Sequence, residues 1–277
     1  MNKIVRSTLD ALLYVFMFFL IQYIVTVLVS LADAWMTGIS LADRAAEVYH
    51  GKIDMTGKFL VASSVLSSIL VLIVFHKARW AAFSRTWLAT HPWTALVWVV
   101  LLALGSMLPS GWLQDQLAFD LPDAMAQALA HIMAEPGGYI AIGILVPIAE
   151  EFVFRGAVLR VLLNVFSGRL HWIAIVLSAL VFGAVHGNLP QFVHATLIGL
   201  LLGWMYYRTD SIFPGIVLHW VNNTVAYVLY NILPGQADAK LIDLFNGNTQ
   251  TMWSAIAFSL CILLPAVYQL SLRLRKG

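Results

Sequence analysis

Charge is what this sequence has least of. Only 11% of its 277 residues are Asp, Glu, Lys or Arg, against about 25% in soluble domains. Because 61% are hydrophobic, a water-soluble fold of this length has too little interior to hide its apolar surface, and that class is excluded. The single cysteine, Cys261, lies in an apolar run and excludes an intramolecular disulfide. No basic cluster resembles a nucleic-acid patch and no Gly-rich phosphate loop is present, so a nucleic-acid partner is not expected. Internal repeats and low-complexity tracts are also missing. A net charge of +2 carries no information about partners.

What is present is a series of apolar runs near the roughly 20 residues needed to cross a hydrocarbon core. The first, Leu12 to Leu31, is broken by little besides Gln22 and has no cleavage site after it, so it reads as a retained span rather than a signal peptide. Hydropathy places eight spans near 10–32, 58–76, 93–109, 138–162, 171–187, 190–207, 212–232 and 251–272. The fold class is therefore all-α, a polytopic transmembrane helical bundle of about eight spans. It forms one integral membrane domain over 1–277. Between spans five and six lies Gly187-Asn188-Leu189-Pro190, where proline suits the first turn of a new helix; a seven-span reading would fuse the chain there. With the N-terminus inside, eleven basic residues (Lys3, Arg6, Lys77, Arg79, Arg85, Arg160, Arg169, Arg208, Arg273, Arg275 and Lys276) fall on the inner side. Only Arg44, Lys52, Lys58 and Lys240 fall outside. That bias predicts a cell-membrane protein with both termini cytoplasmic. In the outer loop 110–137, Leu121-Pro122-Asp123 leads into Met125, Leu129, Ile132 and Met133 at helical spacing. An interfacial amphipathic helix is expected there, as a cap on the bundle or a gate, and 234–249 invites the same reading.

Ionisable groups in a span cost about 2.5–3.5 kcal/mol each on insertion scales, so each needs a reason. The fourth span holds three: Glu150, Glu151 and Arg155. Glu151 and Arg155 are four apart with the acid first, the favourable order for an ion pair. Glu150 points about 100° away and has no local partner, the situation of a general base. The fifth span ends at His186, with Gly183 and Gly187 spaced to let another helix approach closely. In the seventh, His219 and Asn223 share a face, while Asn222 points elsewhere and reads as a helix–helix hydrogen bond. Glu150 and His219 fall within roughly 5 Å of the midplane at 1.5 Å per residue. His186 falls nearer ten, a gap that helix tilt would have to close.

Glu150-Glu151-x-x-x-Arg155, Phe182-x-x-x-His186 and His219-x-x-x-Asn223, in this order on apolar helices, resemble the motifs of the CPBP family. These are the CAAX-protease and bacteriocin-processing intramembrane peptidases, also called Abi. The resemblance covers 138–232, which it marks as the catalytic core. It implies an intramembrane protease in which Glu150 and His186 activate a water, His219 and Asn223 stabilise the oxyanion, and Glu151 and Arg155 support them. The implied partners are the lipid bilayer and a peptide or membrane-protein substrate. Eukaryotic members process prenylated C-termini, whereas the short loops here have a prokaryotic look.

Three matters stay open at this level. Glu150, His186 and His219 could hold a divalent metal such as zinc with a position left for water, although the two-His helix motif of soluble zinc peptidases is missing. A metal-free mechanism is preferred. His194 reads as structural or pocket-lining, and His50, His76, His91, His131 and His171 receive no role. The rival functions are a proton- or ion-coupled transporter, since intramembrane carboxylates also mark ion paths, and a non-catalytic immunity or binding protein with the same fold.

Overall fold

A computed structural model describes residues 2–50, 56–117, 122–232 and 240–275. All regular structure among them is helical: α1 (Lys3–Thr37), α2 (Leu41–Tyr49), α3 (Gly57–Lys77), α4 (Thr86–Ala89), α5 (Trp93–Leu117), α6 (Asp123–Ala134), α7 (Val146–Val153), α8 (Arg160–Val165), α9 (His171–Ala184), α10 (Leu189–Thr209), α11 (Phe213–Ile232) and α12 (Thr249–Arg273). Pi-helical turns over Tyr139–Leu145 and Phe154–Leu159 join α7 to its surroundings, and short 3-10 turns occupy Gly168–Leu170 and Leu241–Phe245. The all-α bundle is as expected, and each of the eight anticipated segments is helical.

Five helices, α1, α3, α5, α10 and α12, are long and apolar enough to cross a membrane. The other three expected spans, near 138–162, 171–187 and 212–232, are not among those five. One changes pitch three times, and α9 has only 14 residues, about 21 Å at 1.5 Å per residue. The third, α11, carries His219, Asn222, Asn223 and Asn231. These are the segments that hold the polar motifs.

Helix ends follow local chemistry. Asn2 caps α1 by accepting from the Ile4 N–H, and Gly38 ends it at φ +75°. Asn188 caps α10 with its side chain on the Gln191 N–H, with Pro190 in the first turn as its sequence position suggested. Gly187 has φ +70° and open space around its missing Cβ, so it serves the turn and not the close helix approach expected of it. Gly183 does serve that approach, because a Cβ there would run into Phe192 and Thr196 of α10.

The bundle is assembled from the pairs α1–α3, α9–α10 and α5–α12, with α11 against α5, α7 and α10. In the α5–α12 pair the Ser259 hydroxyl donates to the Gly105 carbonyl at 2.9 Å. Bulky side chains fill the centre, among them Phe75, Phe154, Leu159, Met205 and Leu218, while Leu12, Phe16, Leu28, Phe258 and Leu264 stand exposed on the outside. Apolar side chains that face outward along the long helices need lipid for solvent.

At one end Arg160 donates to the Trp80 carbonyl at 2.7 Å and Arg208 donates to the carbonyls of Ser271 and Leu274 at 2.8 Å. The basic residues assigned to the inner side thus include groups that satisfy backbone carbonyls at one shared end. The opposite end carries α6, the expected amphipathic helix, with Ile132 and Met133 buried. It also holds the Leu241–Phe245 turn, anchored by the Leu241 N–H donating to Asp115 at 2.6 Å. Helix α2 was not anticipated. It exists around Arg44, which is buried and paired with Asp33 at 3.0 Å and Glu47 at 3.1 Å. Lys52, Leu121, Lys276 and residues 234–239 of the second loop lie outside the described residues.

Candidate active site

Pro147 shapes the helix that carries both glutamates. In the preceding pi turn the Val146 N–H reaches back five residues to the Ala141 carbonyl. The next bond in that register would run from residue 147 to Ile142, and proline has no N–H to make it. The Ile142 carbonyl is instead satisfied by the Asn223 side chain, whose Nδ2 donates to it at 2.9 Å. The Asn222 amide donates to Asn223 Oδ1 at 3.3 Å. Both contacts agree on which end of the Asn223 amide carries hydrogens, and one of its two N–H groups is left over.

Glu151 and Arg155 form the ion pair their spacing implied, with Nη1 to Oε1 at 2.7 Å and exposures of 0% and 1%. The surrounding helices are cut to fit them. A Cβ on Gly215 would lie 2.6 Å from Glu151 Oε2, and one on Gly199 would lie 3.3 Å from Arg155 Nη2. The Gly199 carbonyl accepts from Arg155 at 3.4 Å, and the guanidinium stands 4.3 Å over the Phe182 ring, a cation–π contact. Glu151 Oε2 has no hydrogen-bond partner among the described residues.

His219 sits between the two glutamates. Its Nδ1 is 3.4 Å from Glu151 Oε1 and its Nε2 is 3.6 Å from Glu150 Oε2. A carboxylate oxygen only accepts, so the Glu151 contact places a proton on Nδ1. The other ring nitrogen, Nε2, faces Glu150.

His186 lies in the turn after α9, with Nδ1 2.8 Å from the Phe182 carbonyl. A carbonyl also only accepts, so Nδ1 donates, and in the neutral ring Nε2 is the acceptor. The Phe182 ring packs edge-on against His186 and His219 at 5.2 and 5.8 Å. One aromatic residue therefore braces two histidines and the arginine.

Glu150, His186, His219 and Asn223 all line one cavity of about 330 Å³. It is lined from Glu150 on α7 to His186 in the turn after α9, so both border one cavity despite the difference in depth read from the sequence. Leu129 and Met133 of α6 form part of its wall, so the amphipathic helix borders the site as well as capping the bundle. His194 lines the cavity, as its pocket-lining reading allowed, and so do Asn222, read only as a helix–helix contact, and Gln191, which had no role. The Asn222 amide lies 3.4 Å from His194 Nε2, joining α11 to α10 as the helix–helix reading required. Gln191 had a readable signal, since it stands three residues after its cap Asn188. Glu151 and Arg155 lie behind this wall. Among the described residues no three His, Cys, Asp or Glu side chains converge as a metal-binding group.

Residues 132–225 match the family model of Rce1-like type II CAAX prenyl endopeptidases, the family that the three motifs resemble. A stretch of 98 residues is 30% identical to a Bacillus subtilis (strain 168) protein named "Putative membrane peptidase YdiL". The match covers 35% of this chain and 39% of that relative's length. No solved structure matches the chain. The chain is a multi-pass membrane protein whose matched stretch contains every motif residue described above.

Proposed function

We propose that this chain, in which residues 132–225 carry the Rce1-like endopeptidase domain, hydrolyses a peptide bond of a membrane-associated or peptide substrate. The observation that carries this reading is the convergence of Glu150, His186, His219 and Asn223 on one cavity from three separate helical segments. The donor and acceptor pattern of that cavity suits a water nucleophile. Glu150 and His186 Nε2 both accept, so together they hold the two hydrogens of one water and turn its oxygen lone pair toward a substrate carbonyl.

As the oxygen attacks, its proton passes to Glu150 and the carbonyl becomes an oxyanion. The spare N–H of Asn223 is aimed at that charge; a donor of this kind is worth about 10²–10³ in rate. The proton on Glu150 faces His219 Nε2, whose other nitrogen is anchored on Glu151. It is held there until the carbon–nitrogen bond breaks and the leaving amine takes it. The products are a carboxylic acid and an amine, which become carboxylate and ammonium in water, and the site returns to its starting protonation. Every one of these steps is assigned to protein groups alone.

The test is turnover of fluorogenic peptides by the purified protein in a bilayer mimic, with and without a chelator. Turnover that survives the chelator and disappears in Glu150→Gln is expected. Turnover lost to the chelator and restored by zinc would overturn the metal-free assignment, and equal activity in Glu150→Gln would overturn the site.

A further inference from the structure

Glu150 borders two hollows. Besides the substrate-sized cavity it lines a smaller chamber of about 70 Å³ between α1, α3 and α7. Gln22, Ser64, Ser67 and Ser68 contribute its polar wall, and Gln22 is the residue that interrupts the first apolar run. Ser68 is only 4% exposed. Its hydroxyl, like the side chains of Gln22 and Ser64, has no hydrogen-bond partner among the described residues. Unpartnered polar groups inside a bundle are costly unless water satisfies them. A chamber of about 70 Å³ has room for about two water molecules at roughly 30 Å³ each.

We propose that this chamber is a water store that feeds Glu150 from the side away from the substrate, with Gln22 and Ser68 as positioning residues. The proposal rests on the endopeptidase reading. Each turnover consumes one water, its OH going to the acyl carbon and its remaining hydrogen to the amine nitrogen. A bound peptide fills the larger cavity and displaces its water except at the position between Glu150 and His186. Once consumed, that water must be replaced from elsewhere, and the chamber reaches the same carboxylate from behind. Its serines and glutamine lie on α1 and α3, outside the stretch 132–225 that carries the family match.

The experiment compares the wild type with the double variant Gln22→Leu/Ser68→Ala, which dries the walls, and with Ser68→Thr, which keeps the hydroxyl. On a fluorogenic peptide the double variant should lose about tenfold in kcat, less than the 10²–10⁴ attached to a general base itself. KM and melting temperature should hold, the solvent deuterium isotope effect on kcat should rise, and Ser68→Thr should behave as wild type. Radiolytic hydroxyl-radical labelling reads the water without reference to activity. Phe18 is 7% exposed and lines the chamber, so it should be oxidised in the wild type and protected in the double variant. An unlabelled Phe18 in the wild type, or unchanged kcat and isotope effect in the double variant, would overturn the store. A labelled Phe18 in a protein that turns over no peptide would instead bring down the endopeptidase reading, and the feeding role with it.

Discussion

Glu150 and Glu151 are adjacent in the chain and meet different surroundings. Glu151 is sealed among Arg155, His219 and the bare backbone of Gly215, whereas Glu150 keeps 13% of its side chain exposed toward the cavities it lines. Glu150→Gln preserves volume and removes only the acceptor charge. It should fold and melt like the wild type while losing 10²–10⁴ in turnover, as steady-state kinetics beside a thermal melt would reveal; more than about a tenth of wild-type activity would rule out the general-base role. Arg155→Ala should show the converse pattern of cause. Removing one partner of a buried pair leaves the other uncompensated, at about 3–5 kcal/mol, and Glu151 would then draw His219 out of line as well. A melting temperature in detergent equal to that of the wild type would mean the pair contributes nothing.

The helix from Tyr139 to Val165 is where sequence and structure part company. Hydropathy finds such a segment because it averages over a window, and for the same reason it is blind to pitch. Spacing was enough to pair Glu151 with Arg155 and to put His219 and Asn223 on one face. It could not show that Pro147 releases the Ile142 carbonyl, that Asn223 takes it, or that His219 stands between two carboxylates, because those contacts join residues 68 to 81 positions apart. The glycines were half legible. Gly183 could be read from spacing, but Gly199 and Gly215 matter only for what faces them. Pro147→Ala gives residue 147 an N–H that competes with Asn223 for Ile142. Turnover should fall toward that of Asn223→Ala, itself reduced about 10²–10³ with KM nearly unchanged. The two changes should not add when combined, because they act on one hydrogen bond. Kinetics of the single and double variants on one peptide decide this, and additive losses would separate the proline from the amide.

At the scale of the molecule, five long apolar helices pack with three segments that are short, polar or irregular, and those three carry Glu150, His186, His219 and Asn223. A broken or polar helix is tolerated at membrane depth where protein shields it or where it lines a cavity, and the faces of these three that line the cavity are polar while their outer faces, with Ile140, Ile173 and Val228 exposed, are apolar. The division also fixes a direction. Arg160 and Arg208 cap carbonyls at one end, whereas the cavity extends to the other, toward α6 and the α9–α10 turn. If the basic end is cytoplasmic, as the Lys and Arg bias requires, peptides reach Glu150 from the far side of the membrane. Single cysteines placed at exposed Ser167, beside the basic end, and at exposed Gln250, at the other end, test this in a Cys261→Ser background. A membrane-impermeant maleimide applied to intact cells should label Gln250→Cys at once and Ser167→Cys only after permeabilisation. The reverse order would invert the protein, turn the cavity toward the cytoplasm, and make cytoplasmic peptides the substrates to try first.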